Sequence, residues 1–229
     1  MGFMGITTLD YILNKFNLSN ELPKHMPIEV PNFGRDQLAE LFRELGFTQG
    51  VEIGVKEGDY SEILCKANPD LHLYSIDPWM AVAYFEHGEP SIKGDGIATS
   101  QSVYDNYYET TKSCLAKYPN CKIIRATSHY AVDDFKDASL DFVYIDGNHD
   151  FEHCTQDICE WSRKVHSGGI ISGHDYTIYR QEARIHVKFV IDAYTRAYAI
   201  RPWFVLGAQE AHVKGIIRDK PRSWMWVKI

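Results

Sequence analysis

The chain has 229 residues, of which 45% are hydrophobic and 24% are charged, and this ordinary composition excludes a disordered or fibrous protein. Its 24 lysines and arginines against 31 aspartates and glutamates give a formal net charge of −7, so we expect no nucleic-acid partner. No apolar run reaches the roughly 20 residues that span a bilayer, and Asp10 and Lys15 stand where a secretory segment would be apolar. We therefore expect a cytoplasmic protein that binds no membrane.

The N-terminal part of the chain differs from the rest. Helical spacing predicts a helix at Thr8–Phe16, and three prolines then punctuate residues 19–33, which favours an extended segment. We interpret residues 1–33 as an N-terminal extension, a candidate lid or interface, and residues 34–229 as a single domain.

Helical and strand-like segments alternate through that domain. Strands are predicted at 50–55, 71–77, 121–127, 140–146, 169–173, 203–206 and 224–229. Helices are predicted at 38–45, 60–67, 101–117, 151–165 and 185–199. Near-continuous apolar strands that alternate with helices are typical of a mostly parallel sheet covered on both faces, so we predict a doubly wound α/β fold. The last two strands have no helix between them, which predicts an antiparallel last strand, and residues 79–100 form a long loop insertion of the kind that is often functional.

Ligands of an open parallel sheet bind beyond the carboxyl ends of its strands. The first such end carries Gly54 and Gly58, which let the backbone approach a ligand, but it matches neither the NAD fingerprint nor the P-loop. Asp77 ends the next strand, where an acid can accept hydrogen bonds from both hydroxyls of a ribose. These residues favour an adenosyl ligand without a large phosphate load. The alternative is a tight turn with Asp77 as a helix cap.

Four segments together resemble a known family. They are Val51-Glu52-Ile53-Gly54 with Gly58 and Ser61, Ser75-Ile76-Asp77-Pro78-Trp79, residues 141–149, and Trp161 with residues 168–176. Over about residues 48–195 the chain resembles class I S-adenosylmethionine-dependent methyltransferases, with a closer likeness to methyltransferase family 24 domains and metal-dependent macrolide-sugar O-methyltransferases. The resemblance implies a seven-stranded sheet of order 3-2-1-4-5-7-6 with the seventh strand antiparallel.

The resemblance also implies S-adenosylmethionine as cofactor. The residues carried over as cofactor-binding are Glu52, Gly54, Gly58, Ser61, Asp77 and Ser128. The two glycines would shape the pocket for the methionine half, and Glu52 and Ser61 would hold its amino and carboxylate groups. Asp77 would bind the ribose, and Ser128 would lie near the adenine.

Two further acids, Asp146 and Asp175, end the fourth and fifth predicted strands. If these strands are neighbours, about 4.8 Å apart, both carboxylates can bind one hard cation such as Mg²⁺, which would lower the pKa of a substrate hydroxyl. His149 has a suitable ordinary pKa to take the proton, and the metal-dependent relatives have a histidine base there, so we expect Asp146 and His149 to be catalytic.

His174 stands where those relatives have a second acid, and as a third ligand it would favour Zn²⁺, Mn²⁺ or Fe²⁺ over Mg²⁺. Three alternatives stay open: that Asp146 lines the cofactor pocket without an ion, that His149 is a capping histidine, and that His174 is structural. The expected activity is O-methylation of a hydroxyl on a small molecule or sugar.

Two other functions compete with this one. Residues 147–150 read G-N-H-D, a motif of calcineurin-like metallophosphoesterases. The G-D-x-x-D of those enzymes is missing, because Glu62 stands where the second aspartate after Gly58-Asp59 belongs, and Tyr176 replaces the last histidine of their G-H-x-H. The other alternative is an adenosyl-binding module without catalysis, in which the aromatic residues, 13% of the chain, serve the interface of a homo-oligomer. Two acids and a histidine at the predicted site favour catalysis.

Overall fold

The computed structural model describes residues 6–18, 23–81, 84–86, 89–91, 100–178, 185–210 and 213–229. Parts of the predicted N-terminal extension and of the predicted loop insertion lie outside these residues. None of the helices in the described ranges combines the length and apolar character needed to cross a bilayer.

An eight-stranded sheet forms the centre of the fold, and a separate two-stranded hairpin lies within the loop insertion. The strands in chain order are β1 (Ile28–Val30), β2 (Gln49–Ile53), β3 (His72–Asp77), β4 (Tyr84–Glu86), β5 (Glu89–Ser91), β6 (Cys121–Arg125), β7 (Leu140–Ile145), β8 (Val165–Gly173), β9 (Trp203–Leu206) and β10 (Ser223–Val227). The large sheet has the order β1-β9-β10-β8-β7-β2-β3-β6. Only β10 runs antiparallel to its neighbours in this sheet.

The predicted fold class is confirmed, and one strand is added to it. The strands β6, β3, β2, β7, β8, β10 and β9 lie side by side in this order and correspond to the predicted strands 3, 2, 1, 4, 5, 7 and 6. The eighth strand, β1, lies in the segment predicted only as extended and pairs with β9 at the edge. Its Ile28 and Val30 are buried while Glu29 is exposed, but three residues are too short for this alternation to be recognised in the sequence.

Helices cover both faces of the sheet. They are α1 (Thr8–Lys15), α2 (Arg35–Glu44), α3 (Asp59–Ala67), α4 (Gln101–Leu115), α5 (Ser128–Ala131), α6 (Phe151–Lys164) and α7 (Val187–Ala197). Successive residues of a strand point to opposite faces, and β7 illustrates this. Phe142 stacks on Phe42 of α2 with ring centroids 3.9 Å apart, whereas Val143 belongs to the second core with Trp161 of α6. Two separate apolar cores therefore hold the sheet between its helices.

Helix α1 packs onto the first of these cores. Ile12 is fully buried, and the ring of Phe16, just after the helix, lies 5.5 Å from that of Phe204 in β9. Lys15 forms an ion pair with Glu44 of α2 at 2.7 Å. None of the described residues that line the cavity at the carboxyl ends of the strands comes from α1, and the role of residues 1–33 as a lid or interface stays a prediction.

Candidate active site

A cavity of about 650 Å³ opens at the carboxyl ends of β2, β3, β6 and β7, within the range of small-molecule sites. Six of the predicted site residues line it. They are Glu52, Gly54, Asp77, Ser128, Asp146 and His149. Four others are not part of its lining. These are Gly58, Ser61, His174 and Asp175.

The turn after β2 can form only with a glycine at its first position. Gly54 has φ +84°, and a Cβ atom there would lie 2.0 Å from the backbone oxygen of Asp146. Gly58 also has a positive φ of +90° and begins α3, where a Cβ would meet Thr111 at 3.3 Å. Gly58 therefore shapes the turn without lining the cavity.

Asp77 holds this turn in place from the end of β3. One carboxylate oxygen accepts hydrogen bonds from the amides of Val55 (2.9 Å) and Lys56 (3.0 Å), and the other accepts from Trp79 N at 2.7 Å. Burial raises the pKa of Asp77, and these hydrogen bonds act against that rise. A carboxylate offers about four acceptor positions, so Asp77 retains capacity for a ribose hydroxyl.

The structure places Ser61 differently from the expectation of a direct cofactor contact. Ser61 is fully buried in the first turn of α3, where its hydroxyl donates to the Glu52 carboxyl and lies 2.7 Å from Ser75 Oγ. Burial raises the pKa of Glu52 well above its ordinary value. Ser61 thus orients the side chain of Glu52 through this hydrogen bond, and of the two residues only Glu52 lines the cavity.

Ser128 lies at the other end of the cavity together with an acid that the sequence analysis missed. Its hydroxyl donates to the carboxylate of Asp157 in α6, and burial raises the pKa of Asp157 to about 6. A signal was present, since Asp157 shares the apolar face of the predicted helix with Cys154, Ile158 and Trp161. An acid on such a face is rarely buried without a partner.

The predicted acid and histidine cluster assembles at the ends of β7 and β8. His149 Nε2 lies 3.5 Å from an oxygen of Asp146 and 3.2 Å from an oxygen of Asp175. One potential ligand atom from each of the three residues lies within 4.8 Å of the others. Asp175 adopts a left-handed φ of +61°, which is uncommon outside glycine, and it is buried beneath the cavity edge.

His174 has surroundings unlike those of a metal ligand. Its Nδ1 lies 3.2 Å from Asp175 and 3.7 Å from Asp146, and its Nε2 lies 3.8 Å from Asp219. Burial alone would lower the pKa of His174, but the charge of Asp146 and hydrogen bonds to Asp175 and Asp219 raise it to about 10. A protonated His174 acts as a counter-charge to these carboxylates. The described residues whose ligand atoms lie within 4.8 Å of one another do not include His174, and its role as a third ligand stays a prediction.

Comparison with known proteins identifies the family. Residues 51–176, more than half of the chain, match the model of methyltransferase family 24, described as a methyltransferase domain. The chain belongs to this family. The match decides against the metallophosphoesterase alternative and makes the chain an S-adenosylmethionine-dependent methyltransferase. No curated protein matches the sequence of this methyltransferase.

Solved structures share the fold of the methyltransferase at low sequence identity. An O-methyltransferase from Bacillus cereus in complex with SAH is 15% identical, with a TM-score of 0.56 over 96% of this chain and 90% of that one. The O-methyltransferase TomG from Streptomyces achromogenes, in complex with SAM, is 15% identical, with a TM-score of 0.55 over 95% of this chain and 86% of that one. Spermidine synthase from Thermotoga maritima, also 15% identical, has a TM-score of 0.54 over 83% of this chain and 57% of that one. Since one fold serves different transfer reactions, the acceptor has to be argued from the site.

Proposed function

We propose that the methyltransferase transfers the methyl group of S-adenosylmethionine to a hydroxyl oxygen of a small molecule or sugar, assisted by a divalent cation. The observation that carries this proposal is the group of Asp146, His149 and Asp175, whose ligand atoms lie within 4.8 Å of one another. Two of these residues line the cavity that accommodates the cofactor.

The order of the strands supports one direction for the cofactor. Ser128, Asp77, Gly54 and Asp146 follow β6, β3, β2 and β7, which are neighbours in that order. Adjacent strands are about 4.8 Å apart, so an extended adenosyl ligand can reach along this edge. The adenine then lies by Ser128, the ribose by Asp77, and the methionine part between Gly54 and Asp146.

The donor set fits a small divalent cation. Neighbouring ligands of an octahedral ion with bonds of about 2.1 Å lie about 3 Å apart. The distances from His149 Nε2 to Asp146 and Asp175, 3.5 and 3.2 Å, are close to that value. Asp146 and Asp175 as the two carboxylate ligands suit Mg²⁺ or Mn²⁺, whereas His149 as a third ligand would favour Mn²⁺ over Mg²⁺.

The residues around this site would divide the chemistry between them. A bound cation would lower the pKa of the acceptor hydroxyl and orient its oxygen. His149 takes the proton of that hydroxyl at Nε2, and the carboxylate of Asp175, 3.2 Å away, stabilises the imidazolium that results. The new oxygen–carbon bond forms as the carbon–sulfur bond of the sulfonium breaks, which leaves S-adenosylhomocysteine.

A second role for His149 is that of a third metal ligand. It is favoured by the position of Nε2 between the two carboxylates. The two roles differ in what the loss of the side chain does. As a base, His149 affects turnover and leaves metal affinity unchanged, whereas as a ligand it affects metal affinity first.

The test is the release of S-adenosylhomocysteine with a panel of sugar and small-molecule hydroxyl acceptors, with Mg²⁺ or Mn²⁺ and with a chelator. Mn²⁺ affinity is measured in parallel by calorimetry on wild type, Asp175→Asn and His149→Ala, with the exposed His129→Ala as control. We expect chelator-sensitive turnover, weak Mn²⁺ binding in Asp175→Asn, and normal Mn²⁺ binding without turnover in His149→Ala. Turnover that is indifferent to chelator and to Asp175→Asn would remove the cation from the proposal, and methylation of amines alone would overturn the hydroxyl acceptor.

A further inference from the structure

Arg35 brings a positive charge to the cavity from outside the matched family region. It is the first residue of α2 and lines the cavity. Its guanidinium carbon lies 5.3 Å from the centroid of the Tyr60 ring, and its backbone oxygen accepts a hydrogen bond from the Tyr60 hydroxyl at 2.9 Å. Tyr60 is buried, so these contacts fix the place of Arg35 at the cavity wall.

The guanidinium of Arg35 has no hydrogen bond or ion pair with another residue in the described part of the chain. Lys56 is the other lysine or arginine among the described lining residues. Its side chain is 69% exposed, and its ammonium lies 4.0 Å from Glu57 and 5.5 Å from the centroid of the Tyr107 ring. Arg35 is thus the less exposed of the two cations, and its donors are available to a ligand in the cavity.

The position of Arg35 corresponds to the methionine end of the proposed cofactor orientation. Asp146, at the end of β7, is among the groups whose charge acts on the Arg35 guanidinium. Ser128 and Asp77 lie beyond β2 on the other side. An adenosyl ligand with its ribose at Asp77 therefore extends toward Arg35 with its amino-acid part.

The amino-acid part of S-adenosylmethionine carries a carboxylate, and the family resemblance implied Ser61 as one of the residues that bind this part. The hydroxyl of Ser61 is fully buried and donates to Glu52, and neither group is a cation. A carboxylate moved from water into a cavity loses hydration free energy unless a charged donor replaces the water. The planar guanidinium is the side chain best suited to bind a carboxylate through two parallel hydrogen bonds.

We infer that Arg35 binds the carboxylate of the methionine part of S-adenosylmethionine and so fixes the sulfonium methyl group in front of Asp146 and His149. This inference rests on the proposed cofactor orientation. It makes Arg35 a binding residue that the family match does not include, because the match begins at residue 51.

The test uses two ligands that differ only in this carboxylate, S-adenosylmethionine and its decarboxylated form. Their affinities are measured by calorimetry on wild type, Arg35→Met and Arg35→Lys. Because hydrogen bonds to charged groups contribute strongly to binding, we expect Arg35→Met to weaken S-adenosylmethionine roughly 10- to 100-fold and the decarboxylated form less than about twofold. Arg35→Lys keeps the charge without the planar fork, so we expect an intermediate loss.

Two matched variants control for other effects. Arg43→Met makes the same change at an exposed position of the same helix, and we expect it to alter neither affinity. Lys56→Met removes the other cation of the lining, and a carboxylate-dependent loss there instead of at Arg35 would reassign the role and overturn the inference.

Two other results would also overturn the inference. If Arg35→Met weakened the binding of both ligands equally, Arg35 would only support the cavity wall, and if it weakened neither, Arg35 would be left to bind an anionic acceptor. If wild type binds neither ligand, the cofactor orientation fails first, and that result is distinct from a failure of Arg35 alone. Thermal unfolding of each variant verifies that it is folded, and Arg35→Lys provides the comparison if Arg35→Met is not.

Discussion

Gly54 and Asp146 are in backbone contact across the carboxyl ends of β2 and β7. A Cβ on Gly54 would lie 2.0 Å from the Asp146 oxygen, and the amide of Asp146 donates to Ile53 O at 2.7 Å. The contact joins the turn that faces the methionine part of the cofactor to the acid at the proposed cation site. The proposed cofactor site and the proposed cation site therefore share one pair of strand ends.

Replacing Gly54 with alanine tests this contact. The αL conformation costs any residue with a Cβ about 1 kcal/mol, and the overlap with backbone adds several kcal/mol because backbone cannot rotate away. We expect Gly54→Ala to lower the free energy of unfolding by at least about 3 kcal/mol and to abolish S-adenosylhomocysteine binding, as measured by urea unfolding and calorimetry.

Gly46→Ala is the matched control for this substitution. Gly46 has a similar φ of +72° but nothing within 4 Å of a Cβ, so we expect a loss of only about 1 kcal/mol and normal binding. Equal losses in the two variants would show that the αL strain, and not the contact with Asp146, makes Gly54 necessary.

Burial of Asp157 makes the stability of the methyltransferase depend on pH. Its pKa is raised to about 6 from roughly 3.9 in an unfolded chain, so the folded state binds the proton more tightly. The free energy of unfolding therefore falls as pH rises from about 4 to about 6, by up to about 3 kcal/mol. Above that window this contribution is constant.

Asp157→Asn removes the charge and keeps an acceptor for Ser128. We expect the free energy of unfolding of Asp157→Asn minus that of wild type to increase as pH rises through this window and to be largest at pH 7. Urea unfolding at pH 4, 5, 6 and 7 measures it, and Asp133→Asn at an exposed position is the control. A difference from wild type that does not change with pH would contradict the assignment.

The backbone oxygen of Lys56 holds the glycine turn through two donors. Trp79 Nε1 donates to it at 2.7 Å. Thr111 Oγ1 lies 2.9 Å from it and 2.9 Å from Tyr107 O, so its one hydrogen is shared between these two acceptors. We expect Trp79→Phe and Thr111→Val each to weaken S-adenosylhomocysteine binding about 3- to 10-fold, since a hydrogen bond is worth about 1 kcal/mol. Calorimetry on each variant measures this effect.

The double variant Trp79→Phe/Thr111→Val leaves the Lys56 oxygen with neither donor, whereas each single variant leaves it one, and an acceptor without any partner costs more than the loss of one of two bonds. We expect the double variant to lose more binding free energy for S-adenosylhomocysteine than the sum of the losses in the two single variants. A strictly additive result would mean that the two donors act on cofactor binding independently of this oxygen.

Much of the sheet was predictable because its strands are buried on both faces. The run at 203–206 is continuously apolar, and the run at 140–146 is apolar except for Asp141 and Asp146. The structure has strands at 140–145 and 203–206. The short edge strand β1 escaped because its pattern of Ile28, Glu29 and Val30 is too brief to identify a strand. Its partner β9 is more than a hundred residues away in sequence, and such pairing leaves no local signal.

The site was predictable where strand ends supply the side chains. Asp77 is the last residue of β3, Asp146 follows β7 directly, and Asp175 lies two residues after β8. The sheet brings these three strand ends to one edge. Ser61 and His174 were assigned to ligands because sequence does not reveal which way a side chain points. The structure places both beside neighbouring carboxylates, Ser61 at Glu52 and His174 at Asp175.

Arg35 and Asp219 were missed for a related reason. Arg35 begins the helix after β1, the short strand that the sequence did not reveal, and Asp219 lies in the irregular segment between β9 and β10. Both reach the site by tertiary packing. Such residues become visible only when the neighbouring elements are placed.

The most direct test of the account is a calorimetric titration of S-adenosylhomocysteine into wild type, Asp77→Ala and Asp141→Ala. Asp141 accepts backbone hydrogen bonds from Thr48 (2.6 Å) and Gln49 (2.8 Å) at the opposite edge of the sheet, so it matches Asp77 in holding backbone but lies away from the cavity. We expect micromolar binding to wild type and Asp141→Ala and at least a tenfold loss in Asp77→Ala. No binding to wild type, or equal affinity in all three proteins, would contradict the assignment of this cavity to the cofactor.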